Sequence, residues 1–297
     1  MSNLRKGTLF ALLSNLLFGV LYLYSGWMKP LSGSDVFAWR MVSMLLALWL
    51  VVLITRNGHE IFRFAYKIGK DKKKWALIVL PTPIVASQLW LFMWAPVNGY
   101  AVDVAMGYFL FPLAMVLCAR VFFKEKLNAA QWLAVALAAM GVMYELWRTH
   151  AFSWVTLWVF STYPIYYFLR RHFGVPALTG LLLDLTLIAP FAAVYLYWQT
   201  DVAALLSAPS LFWLLIPFLG IISAAAMLLN LQANRLLPSS IFGMMSYLEP
   251  IILFLLAITV LHNPIAANAI PTYILIWLGL SVMIFDGWRK TKMEQSC

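Results

Sequence analysis

Ten stretches of this chain are each about the length an α-helix needs to cross ~30 Å of hydrocarbon, roughly 20 residues, and they follow one another with little between them. They lie near 7–27, 34–56, 75–97, 100–122, 128–147, 151–171, 177–199, 208–233, 238–261 and 268–288. A bilayer offers no water to satisfy backbone N–H and C=O groups, so a spanning segment is either a helix or a strand of a closed barrel. Continuous apolar runs without period-two alternation belong to helices. The balance of residues agrees: 64% of the 297 residues are hydrophobic and 11% charged, far from the mixture of a soluble domain. The expected fold is an all-α integral membrane bundle of ten transmembrane helices.

Orientation follows from lysine and arginine, which stay on the cytoplasmic side. Taking the connections alternately, one side receives Arg5, Lys6, the run from Arg56 to Lys74, Lys124, Lys126, Arg170, Arg171, Arg235, Arg289, Lys290 and Lys292. The other receives Lys29 and Arg148. Both termini are therefore expected in the cytoplasm. The same asymmetry accounts for the net charge of +10, so no nucleic-acid partner is implied. The first span follows Arg5 and Lys6 like a signal peptide, but it lacks a small-residue cleavage site and is read as a retained helix. Cys118 and Cys297 form no disulfide framework. The connection from Asn57 to Lys74 is too short for a folded domain, and its lysines are read as anchoring the inner face, with a contact to anionic lipid as the sharper alternative.

The chain repeats itself. Pro112, early in the fourth span, and Pro250, at a similar place in the ninth, are followed at matching intervals by polar loops at Lys124 and His262, and by Gly141 and Gly279. Five spans per half, 1–147 and 148–297, invert the second half in the membrane. Inverted repeats are a recurrent architecture of secondary transporters, with the substrate site near the midplane between the halves.

Charges inside such spans cost at least ~2.5–3.5 kcal/mol each on insertion scales and are functional candidates by default. Glu249 is about eleven residues into its span, ~16 Å at the helical rise, and is the deepest carboxylate. Asp184 is ~10 Å from the cytoplasmic end, Asp103 just inside the outer end, and Arg40 ~9 Å from the outer end of the second span. Two readings apply: they bind a polar or zwitterionic substrate or carry a coupling proton, or they serve structure, Arg40 by pairing with an acid across the bundle and Asp103 by reaching interfacial water. Pro112 frees the carbonyl of Tyr108 and Pro250 that of Ser246. Both helices are expected to bend or loosen there, and paired broken helices point to a transport site. Trp27, Trp94, Tyr100 and Trp154 suit an interfacial belt. Trp90, Tyr108 and Tyr247 lie inside spans and are candidates to line a cavity, as is Gln88, although lipid-facing filler and helix-to-helix hydrogen bonding are the ordinary alternatives.

Enzyme chemistry finds no support. There is no Walker A sequence, no serine or cysteine with an evident paired base, and His59, His150, His172 and His262 fall near loops without metal-site spacing. No metal and no cofactor are expected, and transport must be passive or ion-coupled. An integral-membrane enzyme using Glu249 and Asp184 as acids, and an adaptor that moves no solute, are the readings from other classes. Turnover without a gradient would mark the first, and absence of any flux the second.

The order of motifs over nearly the whole chain resembles the EamA-type permeases of the drug/metabolite transporter superfamily, RarD-like branch. It is strongest at "GYFLFPL" (107–113), Glu125 and "QWLAVALAAMGV" (131–142). Arg40, "LFMWA" (91–95), Asp103, Thr179, Gly180 and Asp184 add to it. The sequence departs at Phe111, where the family often has asparagine, and at "HNP" (262–264), which lacks an acid. Glu249 departs from the RarD-like pattern too, though "LEP" is common in EamA proteins more broadly. The resemblance implies ten helices in two inverted halves in a bacterial inner membrane. It also implies export of small amphipathic metabolites such as amino acids by alternating access, or of drugs and antibiotics by a permease of the same fold.

Overall fold

The computed structural model describes residues 3–56, 58–123, 127–149, 153–199, 211–237, 242, 245–262 and 267–294. Lys124, Glu125, Lys126, His150, Asn263, Pro264 and Cys297, used above, lie outside them. Among the described residues the chain is helical and has no strand. The helices are α1 (Asn3–Trp27), α2 (Gly33–Thr55), α3 (Gly58–Ile68), α4 (Lys72–Val79), α5 (Thr82–Val97), α6 (Ala101–Phe123), α7 (Ala129–Thr149), α8 (Trp154–His172), α9 (Ala177–Gln199), α10 (Phe212–Leu236), α11 (Leu248–Thr259) and α12 (Ile270–Glu294), with a 3₁₀ turn at Ala267–Ala269. Among the described residues, five segments are long and apolar enough to cross a membrane: α1, α2, α4 with α5 as Lys72–Val97, α9 and α10. Shorter apolar helical stretches occur at Ala101–Ala114, Ala129–Glu145, Leu248–Thr259 and Ile270–Asp286.

The Asn57–Lys74 connection contains α3, a short amphipathic helix whose buried Phe64 stands among polar and exposed neighbours. The third span is interrupted between Val79 and Thr82, where Pro81 ends one helix and opens the next with Pro83 in its first turn; proline donates no N–H and fits there. The loosening expected at Pro250 is seen: Ser246 is helical, Tyr247 forms a turn and α11 starts at Leu248, so Pro250 sits in the first turn after the break. Pro112, by contrast, lies inside continuous α6.

Local signals explain the other boundaries. Ser32 accepts from Asp35 N at 3.1 Å while Asp35 accepts from Ser32 N at 2.9 Å, a capping box that opens α2. Helix α8 ends in a Schellman motif: Gly174 has φ of 58°, and Val175 N–H reaches back to Arg170 O at 3.1 Å. That turn leads through Pro176 into α9.

At α4, Asp71 accepts from Lys73 N and Lys74 N, both at 3.1 Å. The Lys74 amide, then its ammonium, hold the Asp71 carboxyl below the usual carboxylate range. A depressed folded value means that this cap is fully formed above the ordinary carboxylate pKa and is lost as pH falls through the lower one. Protection of the Lys73 and Lys74 amides, measured against their intrinsic exchange at each pH, is therefore expected to fall as pH drops through the carboxylate range, and Asp71→Ala, which has no side-chain acceptor, should show the same loss at neutral pH.

The helices form two compact units. One comprises Met1–Gly19, Gly99–Pro164 and Gln232–Cys297, with α7 packed on α12 and α6 on α11. The other comprises Val20–Asn98 and Ile165–Leu231, with α2 packed on α9 and α5 against both. Each unit draws on both sequence halves.

The α7–α12 crossing is reciprocal. A Cβ added to Gly141 would lie 3.2 Å from Thr272 O, 3.3 Å from Leu275 Cβ and 3.2 Å from Ile276 Cγ1. One added to Gly279 would lie 2.8 Å from Ala134 O, 3.5 Å from Leu137 Cβ and 3.6 Å from Ala138 N. Thr272, Leu275 and Ile276 precede Gly279 by the intervals at which Ala134, Leu137 and Ala138 precede Gly141. The helices thus run antiparallel, each glycine admitting the main chain of the other helix, as small residues do at membrane helix interfaces.

Candidate functional site

The Val20–Asn98 and Ile165–Leu231 unit holds the larger cavity, a groove of about 540 Å³ among α2, α4, α5 and α9. Its walls are almost wholly apolar, with Phe37, Val79, Ala86 and Phe191 among them. Phe191 is 79% exposed about two-thirds of the way along α9, so one side of the groove opens at the surface of the helices. Polar groups stand at its ends. At one, Trp90 Nε1 donates to Ser34 Oγ at 3.0 Å, and Tyr195 OH donates at 3.1 Å to Asp35 Oδ1, the carboxylate that also caps α2. At the other, Thr82 lines the groove and donates to Asp184 Oδ1 at 2.6 Å.

Asp184 is 1% exposed. Besides Thr82, it accepts from Tyr166 OH at 3.1 Å and forms an ion pair with Arg170 Nη2. The Arg170 guanidinium lies over the Tyr166 ring, 5.4 Å from its centroid. Three donors on one carboxylate satisfy a group that could not be left bare in an apolar interior. The α8–α9 turn makes this possible by returning the chain so that the last turn of α8 faces the second and third turns of α9.

Arg40 is in the same unit and completely buried. Its Nε donates to Ser223 Oγ at 2.9 Å, and its guanidinium lies 5.4 Å from the centre of the Phe92 ring. These contacts tie α2 to a serine of α10 and to an aromatic ring of α5. Gln88 is also buried on α5.

The other unit holds Asp103, Tyr108, Tyr247, Glu249, Pro112 and Pro250. A cavity of about 180 Å³ is lined by Asp103, Glu145, Thr156, Thr272 and Tyr273. Glu145 accepts from Thr272 Oγ1 at 2.7 Å and pairs with Arg148 one turn on, while Arg148 Nη1 reaches Asn268 Oδ1 at 3.0 Å. Thr156 Oγ1 donates to the main-chain carbonyl of Asp103 at 2.8 Å. Tyr108 packs edge-on against Tyr163, with centroids 6.0 Å apart, and Phe111 lies 5.3 Å from the same ring. Glu249 is half-buried in the first turn of α11, at the start of a helix rather than well inside one. Asn15 Nδ2 donates to Met245 O at 3.0 Å just before that turn.

The eight predicted binding residues therefore fall into two sets: Arg40, Gln88, Trp90 and Asp184 in one unit, Asp103, Tyr108, Tyr247 and Glu249 in the other. Arg170, Thr82 and Glu145 are participants that the sequence expectations did not include. Arg170 counted there as a marker of the cytoplasmic side, although its separation from Asp184 across a short glycine-containing turn was visible.

Residues 5–147 match the model of the EamA-like transporter family. An "Uncharacterized transporter" of Haemophilus influenzae is 44% identical over 288 residues, covering 97% of this chain and 96% of that protein. The "Chloramphenicol-sensitive protein RarD" of Pseudomonas aeruginosa is 38% identical over 289 residues, covering 97% and 95%. A solved crystal structure superposes with a TM-score of 0.59 at 16% identity, covering 95% of this chain and 98% of its own; at that identity the likeness speaks for the fold alone.

Proposed function

Since this chain belongs to the EamA-like transporter family, we propose that it is a bacterial inner-membrane secondary permease. In this reading it exports small amphipathic metabolites, such as amino acids or related compounds, by alternating access. Ten spans form two inverted five-helix halves, 1–147 and 148–297, with both termini in the cytoplasm. The reciprocal α7–α12 crossing supports the repeat, because two halves related by a two-fold axis must present equivalent residues to each other. The observation that carries the substrate reading is Thr82: it lines an apolar groove and is hydrogen-bonded to a buried ion pair. An apolar body with a few fixed polar groups is how small-molecule sites combine affinity with orientation.

The near absence of charge in the groove wall also favours a second reading, a permease for apolar drugs of the kind named in the Pseudomonas relative. Proteoliposomes tested with amino acids, antimetabolites and chloramphenicol, with and without a pH gradient, separate the two. Flux of at least one class is expected, and none across the panel would overturn both. Ala86→Trp, which fills the groove, is expected to bring flux to background while the protein still melts as a folded species. Glu249→Gln is expected to remove the pH response of flux; an unchanged response in folded protein would end the proton role of Glu249.

A further inference from the structure

The ion pair at the end of the groove engages only part of Arg170. Its Nη2 is on Asp184, but Nε and Nη1 have no hydrogen-bond partner although the residue is 9% exposed. Thr179 Oγ1, on a residue 6% exposed, has none either. Buried N–H and O–H groups left this way are rare and call for a reason.

Both residues belong to one locality. A Cβ on Gly180 would lie 3.8 Å from Arg170 Nε, so the guanidinium rests on the first turn of α9, where Thr179 also stands. That turn is the amino end of a 23-residue helix. Gly180 N–H already donates to Pro176 O at 2.8 Å, but the amides of Ala177, Leu178 and Thr179 have no carbonyl a turn earlier to bond, and the helix dipole places partial positive charge there. Asp184 does not depend on Arg170 alone, because Thr82 and Tyr166 also donate to it. The unused N–H groups are therefore not required by the internal pair. Asp184 balances the charge of Arg170, and what is left unsatisfied consists of hydrogen-bond donors, or groups that can act as donors, beside a positive helix end, a setting that suits an oxyanion.

We propose that Arg170 Nε and Nη1, Thr179 Oγ1 and the first-turn amides of α9 bind the oxyanion of the transported solute, a carboxylate or a phosphate. The proposal rests on the permease reading and narrows its substrates to small organic anions and zwitterions. Burial of Arg170 favours a small acidic group at the end of a flexible solute over a bulky lipid headgroup. The selectivity follows from charge and donor geometry: a carboxylate accepts from a planar guanidinium, whereas the matching carboxamide brings N–H donors of its own and no charge.

The test uses the full chain in nanodiscs of phosphatidylcholine. Melting shift and calorimetric binding are measured with acetate, inorganic phosphate and a panel of amino acids paired with their carboxamides. At least one soluble anion is expected to bind, and its carboxamide to bind ~10-fold or more weakly. Thr179→Val is expected to weaken the anion a few-fold, and Arg170→Lys, which keeps a cation beside Asp184, by ~10-fold or more. Equal binding of acids and amides by the unsubstituted protein overturns the proposal without relying on any variant. So does absence of binding by every soluble anion, and so does unchanged anion binding in Thr179→Val and Arg170→Lys. Stabilisation by phosphatidylglycerol nanodiscs alone would assign the site to lipid and likewise overturn it. Anion binding without flux in proteoliposomes removes only the permease reading, whereas amino-acid flux undiminished in Arg170→Lys removes only the site.

Discussion

Asp184→Ala is expected to destabilise the protein by about 3–5 kcal/mol, the usual result of removing one partner of a buried ion pair. The reason is what remains: Arg170 keeps its charge in an interior position, with side-chain exposures of 10% for Arg170 and 1% for Asp184. The Thr82 hydroxyl and the Tyr166 hydroxyl lose their acceptor at the same time, and each unmet buried donor adds about 1–3 kcal/mol before relaxation. Removing both charges should be milder than removing one. The double variant Asp184→Leu with Arg170→Leu is expected to be more stable than Asp184→Ala, because apolar replacement of a buried pair is often neutral or favourable. Thermal melting of the single and double variants in one detergent checks this. A double variant no more stable than Asp184→Ala would mean that the pair is not the source of the loss.

Gly220→Ala is the second large effect. An added Cβ would fall 2.4 Å from the main-chain carbon of Ser43, 2.5 Å from its carbonyl oxygen and 2.7 Å from its Cβ. A flexible side chain can swing away from such a contact; the backbone of α2 cannot, so α2 and α10 must separate. Overpacking of this kind costs about 1–3 kcal/mol and sometimes more. The same interface carries the Arg40 to Ser223 hydrogen bond, so separation also withdraws a partner from a completely buried guanidinium. Gly26→Ala provides the comparison, since nothing lies within 4 Å of its added Cβ. There, in the last turn of α1, alanine should be neutral or mildly stabilising. Melting temperatures that fall for Gly220→Ala and hold or rise for Gly26→Ala are the expected pair of results.

Hydropathy located the helices well where it alone sets their ends. Helix α9 runs over 177–199 as the sequence predicts, because Pro176 precedes an unbroken apolar run. It failed where charge masks periodicity. Helix α3 carries Glu60, Arg63 and Lys67 around a single buried Phe64, and a reading that treats charges as loop cannot see a face that narrow. It also merged α4 with α5, since proline at a helix start and proline inside a helix give the same average hydropathy. The site was partly legible. Asp184 and Arg40 were selected because charge in an apolar run demands explanation, and both are buried. That Arg170 turns inward is decided by helix rotation and the Gly174 turn, neither of which a residue count contains. Glu145 escaped notice because it lies near the end of α7 beside Arg148, where such a pair reads as an ordinary surface couple.

The glycine crossing of α7 and α12 is isologous in the sense used for two-fold dimers, with the same patch offered from each side, but within one polypeptide. Two separate copies of a subunit cannot differ across such a joint; two segments of one chain can. Thr272 and Ala134 occupy matching positions in the contact, yet only Thr272 carries a hydroxyl, and it bonds to Glu145. Covalent linkage leaves the two sides free to differ, so a hydroxyl stands at one of two matching positions in a joint whose close helix approach is shared equally by both.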